Sequence, residues 1–191
     1  SDNSTVEAMD VGGANVSISG AAVTVNPTAD LDSSEGYYLQ IAATAFDDAS
    51  GNSYVGINDT TTLSFTAADV VGPTMAITST TSGVSSGSTT NDSTINLTFT
   101  ANEAATGFAA NDITVSGGSV SSFATVSSTV YTATFTPSGA GTTTVDVAGS
   151  KFTDAAGNNN SAATQFTWTY DNVAPTMAIT STTSGVSSGS T

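Results

Sequence analysis

Apolar and polar residues alternate along most of the chain, which is the pattern of a β-strand with one buried face and one solvated face. The clearest example is the run 93–100, in which Ile95, Leu97 and Phe99 alternate with Asn and Thr. Turn residues separate this run from similar ones, and no helical period appears. The other runs place apolar residues at Met75 and Ile77, Ile113 and Val115, Tyr131, Ala133 and Phe135, Val145 and Val147, and Phe166, Trp168 and Tyr170. The pattern predicts an all-β fold with the single tryptophan, Trp168, in its core.

One stretch of sequence occurs twice without a change. Residues 73–89 and 175–191 both read PTMAITSTTSGVSSGST, so 17 residues recur at a spacing of 102. Asp69 and Asp171 each stand four positions before the proline that opens this stretch. A spacing of about 100 residues with about seven short strands is the size of one immunoglobulin-like β-sandwich. The repeat predicts a complete unit at 72–172, followed at 173–191 by the first strand and loop of another unit.

The first part of the chain carries a weaker echo of the same unit. Residues 16–20 (VSISG) resemble residues 113–117 (ITVSG), and residues 46–52 (FDDASGN) resemble residues 152–158 (FTDAAGN). We therefore expect 1–71 to be a partial unit that lacks its first strands. In one interpretation the chain is a window on a longer tandem array. In the other, a neighbouring chain supplies the missing strands by donor-strand exchange, although 175–191 would supply only the first of them.

The charge balance excludes several classes of function. The chain has 16 acidic residues, one basic residue (Lys151), no His and no Cys, for a net charge of -15. A single cation cannot form a phosphate-binding surface, so we expect no nucleic-acid partner. Without His or Cys there is no Ser-His-Asp triad, cysteine nucleophile, ordinary zinc site or disulfide. Only a carboxylate-based enzyme such as a glycosidase would remain, and no catalytic pair stands out, so the prediction is that the chain is not an enzyme. No apolar run is long enough to cross a membrane, so we expect no membrane insertion of this segment.

The motifs together resemble a known family. The strings TINLTFTANEAATGFAANDITVSGG, YTATFTP and FTDAAGN, preceded by an Asp-x-x-x-Pro linker, resemble the bacterial Ig-like repeats of large surface adhesins and other repetitive extracellular proteins. The resemblance covers 73–172, and 14–69 looks like a more divergent repeat of the same kind. It implies tandem Ig-like β-sandwiches, a secreted or cell-surface location, and a stalk that extends a binding domain, with neighbouring repeats of the same chain as partners. It also implies calcium, which many relatives bind at domain junctions.

Acidic residues fall where such a calcium site would lie. In an Ig-like sandwich, the leading segment, the loop after the second strand and the last hairpin loop share one end. This arrangement predicts that Asp69, Glu103 and Asp154 converge, with Asp112 nearby. Calcium takes 6–8 oxygen ligands, which carboxylates, loop carbonyls and Asn side chains can supply.

By the same logic, Asp171 would face the junction after this unit, and Glu7 and Asp48 the junction before the first unit. The alternative is plain turn chemistry, because Asp is favoured in turns for its hydrogen bonds to the backbone. Three clustered carboxylates without a cation would repel one another, which favours the calcium interpretation.

Two other functions stay open beside the stalk. One is a subunit of a self-assembling extracellular fibre or surface layer, with identical chains as partners. The other is a glycan- or protein-binding module, for which Tyr37, Tyr38 and Tyr54 are the candidate exposed aromatic residues.

Overall fold

The computed structural model of the protein describes residues 4–186. The chain divides into two compact units, Ser1–Val71 and Gly72–Thr191. In the described part of the chain the only helical element is the 3-10 turn Ala110–Asp112, and no helix there has the length and apolar character to cross a membrane. The remaining regular structure of residues 4–186 is β-strand.

The first unit contains two small antiparallel sheets, and none of its described residues is buried. The rings of Tyr37 and Phe65 contact each other in this unit, with centroids 6.0 Å apart. The strands are β1 (Val16–Ser19) paired with β2 (Ala22–Val25), and β3 (Gly36–Tyr38) paired with β4 (Ser64–Thr66).

The second unit is a sandwich of two four-stranded sheets. The strands are β5 (Met75–Ser79), β6 (Thr89–Thr90), β7 (Ile95–Ala101), β8 (Ile113–Ser116), β9 (Gly118–Thr125), β10 (Val130–Pro137), β11 (Gly141–Val147) and β12 (Phe166–Tyr170). One sheet has the order β5-β7-β10-β9 and the other the order β6-β12-β11-β8. All pairs are antiparallel except β6 with β12, which is parallel. The alternating runs read from the sequence are all strands here.

The alternation along these strands builds the core of the second unit. Ile95, Leu97 and Phe99 on β7 are buried, while the residues between them are exposed or half-buried. Trp168 is 1 % exposed and packs edge-on against Phe135, with ring centroids 4.6 Å apart. The Trp168 placement confirms that the tryptophan is a core residue. At the other end Phe108 is the centre of an aromatic cluster with Phe99, Phe123, Tyr131 and Phe152.

Strand β9 is one of the elements that the alternation did not predict. Its two half-buried apolar residues, Val120 and Phe123, are three positions apart rather than two. The pairing register with β10 shifts between Thr132 and Thr134, and Ser122 opposite has a φ of 52°. A β-bulge at this point turns Phe123 back toward the core and breaks the period of two.

The repeated stretch has two different environments. In the first copy Met75 is 5 % exposed, and β5 pairs with β7 from Met75↔Ala101 to Ser79↔Leu97. In the second copy Met177 and Ile179 are each 86 % exposed, and the described residues from 171 to 186 form no strand. Identical sequences thus differ because only the first has a strand beside it.

Met75→Ala and Met177→Ala therefore make the same change in the same local sequence. We expect Met75→Ala to destabilise the second unit by about 2–3 kcal/mol, because a buried methionine leaves a cavity. Met177→Ala should change stability by less than about 0.5 kcal/mol, as exposed substitutions do. Urea unfolding followed by the fluorescence of Trp168 measures both. Equal losses would contradict the burial of β5.

Candidate metal centre

Three carboxylates of the chain come together at the start of the second unit's fold. One oxygen from each of Asp69, Glu103 and Asp154 lies within 4.8 Å of the other two. Asp154 is 3 % exposed, and the other two are half-buried. Within residues 4–186, no other group of three or more acidic side chains has this spacing. These are three of the seven residues that the sequence suggested as ligands.

Asp154 opens a tight loop that folds back on its carboxylate. Oδ1 accepts a hydrogen bond from the backbone N–H of Asn158 at 2.9 Å, and Oδ2 accepts one from the Asn158 side-chain amide at 2.8 Å. Burial raises the pKa of this carboxyl. The hydrogen bonds from Asn158 and from the backbone N–H groups of Gly157 and Ala156 outweigh burial, so the pKa lies below its ordinary value. The Asp154 carboxylate is therefore charged at neutral pH.

Glu103 reaches the cluster from the loop after β7. Thr106 and Thr153 form an isolated antiparallel bridge. The Thr106 N–H donates to the Thr153 carbonyl at 2.6 Å, and the Thr153 N–H donates back to Thr106 at 3.1 Å. Because Thr153 immediately precedes Asp154, this bridge ties the Glu103 loop to the Asp154 loop.

Asp69 lies on the segment that leads into β5. Its Oδ1 accepts hydrogen bonds from the Val71 N–H at 3.2 Å and from the Ser33 hydroxyl at 2.9 Å. At Gly72, a Cβ would lie 2.0 Å from the carbonyl oxygen of Asn159, so no side chain fits there. Glycine thus lets the segment run directly beside the end of the Asp154 loop.

The other four predicted ligands lie outside this cluster and accept hydrogen bonds from other groups. The Asp112 carboxylate accepts the N–H of Ala109 at 2.9 Å and caps the 3-10 turn. Asp171 accepts the N–H of Val173 at 3.0 Å, in the same turn that Asp69 makes with Val71. Glu7 accepts hydrogen bonds from the backbone and hydroxyl of Thr28 and from the side chain of Asn15.

Asp48, the fourth, opens a loop of the first unit that matches the Asp154 loop. Its Oδ1 accepts the backbone N–H of Asn52 at 2.8 Å, and its Oδ2 accepts the Asn52 amide at 2.9 Å. These bonds hold the pKa of Asp48 below its ordinary value. The Asp-Ala-x-Gly-Asn motif is therefore a turn motif in both units. In the second unit its carboxylate also faces Asp69 and Glu103.

Some residues that position the cluster gave no signal in the sequence. Ser33 is one of many serines, and Thr106 and Thr153 are two of many threonines, so composition hides them. The sequence marks Gly72 only weakly, because the equivalent position before the second copy of the repeat is an alanine, Ala174. Asn158 had the clearest signal in the sequence, because the first unit has Asn52 at the same position of the same motif.

The donor set fits calcium. This ion binds oxygens at about 2.3–2.6 Å, so two of its ligands can lie up to about 5 Å apart. The 4.8 Å spacing of the cluster falls within that limit. The chain has no His or Cys to favour a softer metal, and Lys151 alone cannot neutralise 16 acidic residues. Asp69, Glu103 and Asp154 would hold the ion, and neutral oxygens would complete its shell.

Two sequence models, each described as a bacterial Ig-like domain, match the chain, one over residues 69–170 and the other over residues 2–67. The chain belongs to the bacterial Ig-like domain family. No curated protein and no solved structure gave a match.

Membership in the bacterial Ig-like family confirms the resemblance seen in the motifs and the expected fold class of tandem Ig-like β-sandwiches. Bacterial Ig-like domains are typically structural modules rather than enzymes, and they commonly occur in extracellular or surface proteins. The longer match runs from residue 69 to residue 170, so all three carboxylates of the cluster fall within one Ig-like domain.

Gly72→Ala should destabilise this Ig-like domain by about 1–3 kcal/mol, because the new methyl group must displace the backbone at Asn159. Gly139→Ala is the matched control, since a Cβ there meets nothing within 4 Å. Thermal unfolding of both variants in EDTA measures the difference without any cation. If the two variants unfold together, the close approach at Gly72 is wrong.

Acid should weaken the first Ig-like unit through Asp48. Because its pKa is lowered on folding, its stabilising effect is present above the unfolded value of about 3.9 and is lost as the pH falls through the folded value. The difference in unfolding free energy between the parent and Asp48→Asn should therefore be largest near neutral pH and shrink below about pH 4. Denaturant unfolding at several pH values, in EDTA, measures it. A difference that does not vary with pH would contradict the hydrogen-bonded carboxylate.

Proposed function

We propose that this chain is part of the stalk of a secreted or cell-surface bacterial protein, and that calcium bound by Asp69, Glu103 and Asp154 stiffens the stalk. The stalk would hold a binding domain away from the cell, as in an adhesin. Neighbouring repeats of the same chain are its partners. The observation that carries the proposal is the carboxylate cluster at the start of an Ig-like domain.

The electrostatics of the cluster support a bound cation. Three carboxylates within 4.8 Å repel one another, and the Asp154 hydrogen bonds keep at least that group charged. A divalent ion removes this repulsion. Asp69 precedes the domain's first strand, so an ion that holds it to Glu103 and Asp154 restrains the leading segment against two loops of the domain.

A restrained leading segment has a mechanical consequence. A linker that is free to turn makes tandem domains a flexible string, whereas one fixed by ligands transmits the direction of one domain to the next. Calcium sites of extracellular modules bind in the range of about 10⁻⁴–10⁻³ M. The stiffness of the stalk would then follow the calcium level outside the cell.

The alternative of a glycan- or protein-binding module has less support. The Tyr37 ring packs on Phe65, and its hydroxyl accepts the N–H of Asp32 at 2.8 Å. Tyr38 is half-buried, which leaves Tyr54 as the exposed member of the three. Phe65, on which the Tyr37 ring packs, is also exposed, but two exposed aromatic residues are a weak basis for ligand recognition.

The test compares the whole chain in 10 mM calcium, in 10 mM magnesium and in EDTA. Binding to the folded state alone raises its stability, by about 1.4–2.7 kcal/mol when the ion is 10- to 100-fold above its Kd. We expect calcium to raise the Tm of the second unit by about 5–15 °C. Small-angle scattering should show a longer and less flexible particle. Magnesium, which demands tighter octahedral geometry, should do less.

Asp69→Asn should abolish the calcium response, and Asp171→Asn is its matched control. Both aspartates make the same turn to the residue two positions on, but only Asp69 belongs to the cluster. Asp171→Asn should keep the full response. A calcium response that survives in Asp69→Asn would place the ion elsewhere, and no response in the parent would refute the calcium proposal.

A further inference from the structure

The chain just after Asp69 is already fixed by hydrogen bonds within the second unit. The Pro73 carbonyl accepts the Ser161 N–H at 3.0 Å. The Thr74 N–H donates to Asn102 Oδ1 at 2.6 Å, and the Thr74 carbonyl accepts the Asn102 N–H at 3.2 Å. These bonds need no cation. What an ion at the cluster would add is therefore a restraint on Asp69 and on the groups that hold Asp69.

Ser33 holds Asp69 from a position far away in the chain. Its hydroxyl donates to Asp69 Oδ1 at 2.9 Å and accepts the Val70 N–H at 3.0 Å. One side chain thus fixes both the carboxylate and the backbone beside it. The Val71 N–H also donates to Oδ1, but that bond is local, because Asp171 makes the same turn. The Ser33 bond is the one that a distant part of the first unit contributes.

The loop that carries Ser33 is tied to the sheet of β3 and β4. The Glu35 carbonyl accepts the Ala67 N–H at 2.9 Å, next to the first residue pair of that sheet. Ser34 has a φ of 63°, a left-handed conformation that is unfavourable for a residue other than glycine. Such a residue persists where its surroundings hold it in place. The Ser33 hydroxyl is thus presented to Asp69 by a loop whose backbone is itself held.

We propose that Ser33 is a positioning residue for the ion. Its hydroxyl sets the direction of the Asp69 carboxylate, and calcium on that carboxylate in turn holds the loop 30–35 and the sheet of β3 and β4. The inference rests on the calcium proposal above and adds to it a residue that touches the ligand but not the ion. Groups that hold metal ligands in place typically change metal affinity by 10- to 100-fold. Such coupling is reciprocal, so calcium strengthens the Ser33 contact by the factor that Ser33 adds to calcium affinity.

Ser33→Ala removes the hydroxyl, and Ser53→Ala is its matched control. The Ser53 hydroxyl donates to Asp47 Oδ1 at 2.6 Å, so the control also breaks a bond from serine to aspartate in the first unit. Asp47 is not a member of the cluster. Ser33→Thr keeps a hydroxyl at the tested position. Calorimetric titration of each whole chain with calcium measures the Kd, and thermal unfolding in EDTA measures stability without the ion.

Ser33→Ala should bind calcium about tenfold more weakly than the parent. Ser53→Ala should bind it within twofold of the parent, and Ser33→Thr should recover most of the loss. In EDTA the two alanine variants should show similar small decreases in Tm, because each loses one hydrogen bond. If Ser33→Ala binds calcium as tightly as the parent, or if Ser53→Ala loses as much, the positioning role is wrong and the calcium proposal stands. If the parent does not bind calcium, both proposals are wrong.

Amide hydrogen exchange followed by NMR tests the effect of the ion on the first unit. Saturating calcium should slow exchange of the Val70 and Ala67 N–H groups in the parent by about tenfold, the factor expected for affinity. In Ser33→Ala, calcium should slow exchange at Ala67 by less than twofold, because the link from Asp69 to the loop is gone. Equal slowing at Ala67 in the parent and in Ser33→Ala would overturn the proposal, since the ion would then act on the sheet without Ser33.

Discussion

A β-strand buries its apolar side chains only when a neighbouring strand and an opposing sheet cover them, and the rest of this structure depends on that condition. The second unit meets it, with Phe135 and Trp168 packed between the two sheets. The segment that contains Met177 does not meet it, although its sequence is that of β5. Its turn forms and its strand does not, which separates what the local sequence encodes from what tertiary packing supplies.

The same distinction explains how much of the fold the sequence could predict. Strands with a regular period of two, such as β7 and β12, were readable because each carries its own burial pattern. Strand β9 was not, because a bulge at Ser122 shifts its register against β10 and breaks the period of two. The two-residue strand β6 was also missed, since its parallel pairing with β12 depends on where the chain crosses between sheets. Periodicity reports burial within a strand and says little about pairing between strands.

The sequence predicted the candidate site to a similar extent. The fold class places the leading segment, the loop after β7 and the last loop at one end, so Asp69, Glu103 and Asp154 could be named together. Asp48 and Asp154 could not be told apart, because the same motif gives both the same turn. The two aspartates differ because only Asp154 lies beside other carboxylates. The bridge between Thr106 and Thr153 and the close approach of the chain at Gly72 bring those carboxylates together. The bridge has no signature in a chain so rich in Thr, and Gly72 has only a weak one, the change to Ala174 at the equivalent position of the repeat.

Charge links the site to the edges of the sandwich. The edge strands β5, β6, β8 and β9 contain no charged residue, so they lack the lysines that often keep sheet edges from pairing. The carboxylates are concentrated in turns, and they give each chain a long-range negative field instead. Such a field keeps bare edges of neighbouring molecules apart at low salt and weakens within a Debye length of about 8 Å at physiological ionic strength. Divalent cations that neutralise the acidic turns would lower this barrier further. One acidic surface would thus govern both how stiffly successive repeats are joined and how closely separate chains approach.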